Sequence, residues 1–169
     1  MRLELLVLRF IHVLCGTFWV GSGLYTALFL APALASSGVN AGQVFAALAK
    51  RRLFAVLPIV ALLTMISGFR LLWIASGGSL GAYVATGSGR TYMWSGFAAV
   101  IAFVLSLLVS RPAAVRMGAL TAAMQSAPEE RAAVERQIAA LRRRSSFSSA
   151  AALTLLALCA AGMSVGRYL

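Results

Sequence analysis

"RFIHVLCGTFWVGSGLYTALFLAPAL", residues 9–34, decides the fold class. About 20 apolar residues at 1.5 Å per residue cross the 30 Å hydrocarbon layer of a bilayer, and this run exceeds that length. Yet it also holds His12, the only histidine of the chain, with Arg9 three residues before it and Cys15 three residues after. A membrane helix that carries an imidazole needs a partner for it, because polar groups in hydrocarbon are costly when unpaired.

The rest of the chain agrees with a membrane reading. Of its 169 residues, 61% are hydrophobic, and the mean hydropathy is +0.90. Soluble domains are nearer half apolar, so too little polar surface remains here to cover a water-soluble globule. Four apolar segments stand out, at about residues 5–34, 53–76, 92–110 and 147–168. They predict a single all-α membrane domain over residues 1–169, a four-helix transmembrane bundle. Glu4 and Arg9 interrupt the first segment near its start, and no small-x-small cleavage site follows. The first helix is therefore expected to stay in the chain. Pro32 reads as a stop for that helix.

Charge orients the spans. The net charge is +11. Lys50, Arg51 and Arg52 end the first loop, and Arg111, Arg116, Arg131, Arg136, Arg142, Arg143 and Arg144 lie in the third. Basic loops stay cytoplasmic and meet anionic lipid. Both termini and the second loop are then outside a bacterial cytoplasmic (inner) membrane. The second loop, "GGSLGAYVATGSGRT", reads as an irregular cap. The basic surplus is thereby assigned to topology, with no nucleic-acid partner.

The third loop reads as a cytoplasmic helical hairpin over about residues 111–144. "RPAAVRMGALTAAMQ" prolongs the third helix, and "SAPEERAAVERQIAALRRR" begins another. Ser126 and Glu129 match a capping box with Pro128 in the first turn, and acidic residues lead while arginines trail. A break is expected at residues 125–128. The hairpin serves as a clip between spans or as a docking surface.

Soluble-enzyme constellations are absent. There is no aspartate, and no carboxylate pair, phosphate loop or CxxC. The remaining candidates are polar groups within the spans. Helix depth places His12, Cys15, Arg70, Cys159 and Met163 in one outer layer. Imidazole with thioether or thiolate ligates haem iron or copper. The candidate cofactor-binding set is therefore His12, Arg70 (toward a haem propionate) and Met163. The candidate metal set is His12, Cys15, Cys159 and Met163. The competing reading makes His12 a polar anchor bonded to a neighbouring helix. Arg9, His12, Gly16, Trp19 and Gly23 recur at helical spacing and form one inward stripe. Gly16, Gly23 and Gly68 are candidate close-packing positions. Arg70 is expected to meet backbone carbonyls, a carboxylate of another subunit or a propionate.

The order "H…FWVGSGLY…PAL" followed by "RRLFAVLPIVALLTMISGFRLLW" resembles four-span membrane proteins of the copper-resistance D and HemJ-like type, over about residues 9–75. The matching positions are His12, Trp19, Gly21, Arg51, Arg52, Pro58, Thr64 and Gly68. The resemblance implies a four-helix bundle and, in the HemJ-like branch, haem b at the first-helix histidine. The third span here, "YMWSGFAAVIAFVLSLLVS", has no lysine and no second histidine. The expected function is accordingly a non-catalytic accessory or structural subunit of a larger membrane complex of respiratory or photosynthetic type. It would sit in the lipid bilayer with other membrane subunits. The alternative is a haem b-binding or copper-handling protein that uses His12.

Overall fold

The computed structural model describes residues 2–39, 41–124 and 131–169. All regular structure among the described residues is helical: α1 Arg2–Tyr25, α2 Ala31–Ser36, α3 Ala41–Lys50, α4 Leu53–Ala75, α5 Leu80–Val84, α6 Gly87–Leu105, α7 Arg111–Met124 and α8 Arg131–Val165. Four helical stretches are long and apolar enough to cross a membrane: Arg2–Ser36, Leu53–Ala75, Gly87–Thr121 and Ala132–Tyr168. This is the expected four-span, all-α architecture. Helix α1 packs chiefly on α4, and α6 on α8. The two pairs meet through α4 with α6 and α1 with α8.

Small residues bring the helices together. Ala61, Ala99, Ala102 and Ala152 are buried in the central cluster, and among its large members are Trp19 and Leu156. In lipid no hydrophobic gain drives helix association, so close van der Waals contact between small residues has to supply it. The Trp19 indole meets the Phe103 ring edge-on at 6.2 Å between centroids, which ties α1 to α6. Gly23 faces Leu153 of α8, and Gly16 faces the Thr64 methyl of α4. Both thus lie in seams, as the stripe on α1 predicts. Arg9 does not. It is exposed, since a guanidinium without a counter-charge cannot enter such a seam.

Two prolines are passed without a break in the helix. Helix α1 continues past Pro32 to Ser36, through a π-helical turn at Thr26–Leu30. Helix α6 continues past Pro112 into α7, through a second π-helical turn at Ser106–Ser110. A proline lacks its N–H and crowds the carbonyl four residues earlier. A wider turn just ahead of each proline relieves that clash and lets the helix run on.

The loops hold more helix than their composition suggests. Helix α3 half-buries Val44, Phe45 and Leu48 while Gln43 and Lys50 stay exposed, an amphipathic arrangement suited to a membrane surface. It turns into α4 at Arg52, which adopts the left-handed conformation at φ 59°. The second loop contains α5, and α6 starts at Gly87 where the hydropathy reading began at residue 92. Thr86 caps α6, its Oγ1 accepting from the Gly89 N–H at 3.1 Å. Burial first, and then Tyr92, push the Tyr83 hydroxyl above its ordinary range, so α5 carries no phenolate at neutral pH.

Helices α7 and α8 pack on each other. The second arm expected for the third loop runs on into the fourth span, because Arg131 to Val165 is continuous. Nothing between the arginines and Phe147 breaks helical propensity. The expected break at residues 125–128, with its Ser126–Glu129 capping box, lies outside the described residues.

Gly89 offers the sharpest test of the packing of α5 on α6. It is buried, and a methyl group there would collide with the Tyr83 backbone carbonyl. Gly89→Ala is expected to destabilise the protein by about 1–3 kcal/mol, as overpacking does. Thermal unfolding in detergent micelles reads the change. An unchanged midpoint would show that α5 does not pack on α6 in this way.

Candidate functional site

The chain's one imidazole lies in the seam between α1 and α4. His12 Nδ1 stands 2.8 Å from the Thr64 carbonyl oxygen. A carbonyl only accepts, so Nδ1 carries the hydrogen and donates. In the neutral ring the lone pair then belongs to Nε2. Ser67 Oγ is a weaker neighbour of Nδ1 at 3.4 Å, and it donates its own proton to the Leu63 carbonyl at 2.6 Å. Thr64 and Ser67 are both buried.

This contact depends on Gly68. A methyl group on Gly68 would stand 2.6 Å from His12 Cε1 and 3.0 Å from Nδ1. Any side chain there would push the ring out of the seam. One helix therefore supplies an acceptor (the Thr64 carbonyl), a hydroxyl (Ser67) and a vacancy (Gly68) within five consecutive residues. Thr64 and Ser67 each return their own hydroxyl proton to a carbonyl of α4. No buried side-chain nitrogen or oxygen among the described residues lacks a partner.

Arg70 finds its counter-charge within the chain. Its Nε and Nη2 donate to Glu4 Oε1 at 2.9 and 2.6 Å. Glu4 was not among the partners expected for it. The two are 66 residues apart, and they meet because α1 and α4 run antiparallel with both groups at the same end of the bundle. The side chains remain 49% and 40% exposed. A pair this open contributes at most about 1 kcal/mol. Its consequence is neutralisation, because an unpaired guanidinium in a span is costly.

The other candidates lie apart from this pair. Cys15 is half-buried on α1 and Cys159 half-buried on α8, and both are free thiols. Cys159 packs beside the central cluster, in a shallow groove with Thr91, Trp94 and Ser95 of α6. That is the α6–α8 seam, whereas His12 sits between α1 and α4. Met163 is half-buried on α8. Among the described residues no three of histidine, cysteine, aspartate and glutamate gather as a metal-binding group. The arrangement offers one oriented imidazole and one internal ion pair.

Comparison with known proteins supplies no relative: no family profile, curated protein or solved structure matches the chain.

The steric link between His12 and Gly68 is measurable by a double-mutant cycle. His12→Ala and Gly68→Ala should each destabilise the bundle, the first by losing the bond and the second by expelling the ring. In the double variant the new methyl enters the space the imidazole left. The two costs are expected to fall short of additivity by about 0.5–3 kcal/mol, the range for residues in contact. Additive effects in unfolding titrations would show that the ring does not rest on Gly68.

Proposed function

We propose that this chain is a non-catalytic polytopic membrane protein, an accessory or structural subunit of a larger membrane assembly of respiratory or photosynthetic type. The observation that carries this reading is the use of His12. The only imidazole in the chain is committed to an interhelical bond over Gly68. The internal pairing of Arg70 with Glu4 points the same way, since it removes the cation that a substrate or propionate would need. The outer face of α6 adds a docking surface. Trp94, Phe97, Ile101 and Val104 are all exposed there, at the 3.5-residue spacing along which a second helix packs.

In this reading the protein resides in a bacterial inner membrane with both termini outside. The basic residues of α3, α7 and the start of α8 then face the cytoplasm. There α7 and the first half of α8 form a cytoplasmic helical hairpin.

A second reading draws on one feature of the same site. Metal-ligating histidines commonly donate one ring N–H to a backbone carbonyl, which fixes the ring and presents the other nitrogen. His12 has that arrangement, with Nε2 as the presented atom. This supports a haem b or copper protein, in line with the resemblance to copper-resistance D and HemJ-like proteins. The residues fit such a group only in part. They provide one oriented ligand, but Arg70 is already paired and the cysteines lie in other positions.

Purification from native membranes in mild detergent separates the two. The accessory reading expects a defined complex well above the 17.8 kDa of the chain, with no visible absorption band that depends on His12. His12→Ala should reduce assembly. A chain isolated alone with a haem or copper band that His12→Ala abolishes would overturn the accessory reading and establish the second.

A further inference from the structure

Between α7 and the first half of α8 lies an open groove of ≈ 570 Å³. Thr121 stands on its α7 side, and residues of α8 from Glu135 to Ser146 line the other. Its walls are ordered along the α8 axis. Ile138 and Ala139 supply an apolar stretch, Arg142 and Arg143 follow, and Ser146 ends the groove next to the apolar span. Among the described residues the one ion pair is Arg70 with Glu4, so neither groove arginine is ion-paired among them. Glu135 lines the opposite end, seven residues from Arg142, or roughly 10 Å along the helix.

The depth of this groove identifies its ligand. Ser110 Oγ lies 3.3 Å from both Ser148 Oγ and Ser149 Oγ, a polar layer at the end of the apolar spans. Arg142 and Arg143 stand five to six residues beyond Ser148, or about 8 Å. A bilayer's polar zone extends about 5–8 Å past the hydrocarbon on each side. Two adjacent guanidiniums therefore sit at headgroup level. They are the side chains best suited to bind phosphate oxygens in a forked geometry. Phe147, 79% exposed, lies on the hydrocarbon side of them, where acyl chains would run.

We propose that the α7–α8 groove is a binding site for one anionic phospholipid, its headgroup phosphate held by Arg142 and Arg143. This goes beyond the accessory-subunit reading and does not depend on it.

The test uses the full chain in neutral detergent micelles doped with phosphatidylglycerol or with phosphatidylcholine. Lipid retained after exchange into plain detergent is counted by native mass spectrometry. Phosphatidylglycerol should be retained and phosphatidylcholine lost. Arg142→Gln with Arg143→Gln is expected to cut retention by about fivefold or more, while Arg116→Gln with Arg136→Gln, equal in charge but outside the groove, changes it by less than about twofold. Equal losses from both pairs would reduce the effect to general surface charge and overturn the site. Ala139→Trp fills the groove without altering charge, at an exposed position that tolerates the substitution. It should lower retention as the arginine variants do, and full retention would overturn the proposal even if those variants fold poorly. Displacement of the lipid by inorganic phosphate at equal concentration would assign the arginines to a soluble anion and also overturn it.

Discussion

A ring nitrogen of α1 reaches a backbone oxygen of α4 because Gly68 has no side chain. Much of the bundle follows from that approach. Interhelical hydrogen bonds in membranes are modest, averaging about 0.6 kcal/mol with a maximum near 1.7. The bond between His12 and Thr64 is thus no dominant source of stability. Its weight lies in the alternative: an imidazole turned into hydrocarbon would lose its partner and gain none. The bond therefore fixes the rotation and register of α1 on α4. With that register set, Gly16 meets Thr64, Trp19 reaches Phe103, Gly23 meets Leu153, and Glu4 arrives beside Arg70.

Polarity is handled differently at the two ends of the molecule. At the end that holds Glu4 and Arg70, charge is scarce, and Arg70 is paired within the chain. At the other end charge is plentiful and mostly basic, carried by α3, the α3–α4 turn, α7 and the first half of α8, where Glu135 stands among the arginines. The basic excess has to be balanced from outside the chain, and the anionic headgroups of a membrane are the nearest counter-charges. The prolines belong to the same design. Pro32 and Pro112 fall near the basic end, each behind a π-helical turn, so the helices pass from lipid toward water without breaking.

The spans were legible in the sequence because hydropathy alone marks a segment that must satisfy its backbone internally. The inward face of α1 was legible too, since His12, Gly16, Trp19 and Gly23 follow helical spacing. What escaped were contacts between distant residues and features that mimic loops. Glu4 lies at a helix start, and nothing local ties it to Arg70. The stretch with Gly87 and Gly89 has the composition of a turn, yet its glycines serve close approach of α6 to α5. Pro32 marks the approach of a helix end at Ser36, but the π turn that carries the helix past it leaves no clear mark in the residue pattern. Of the candidate site, the polar anchoring of His12 could be read ahead. Its acceptor could not, because a backbone carbonyl is present at every position.

The account turns on the state of a single imidazole, and the chain has only one. Solid-state nitrogen NMR of the protein labelled with ¹⁵N-histidine in lipid bilayers observes that ring alone. The expected result is a neutral ring protonated at Nδ1, with a hydrogen-bonded Nδ1–H and an Nε2 that carries no proton and no metal. A ring protonated at Nε2 with Nδ1 bare would contradict the bond to Thr64. An Nε2 resonance displaced or broadened by a bound metal would contradict the structural role and return His12 to cofactor chemistry.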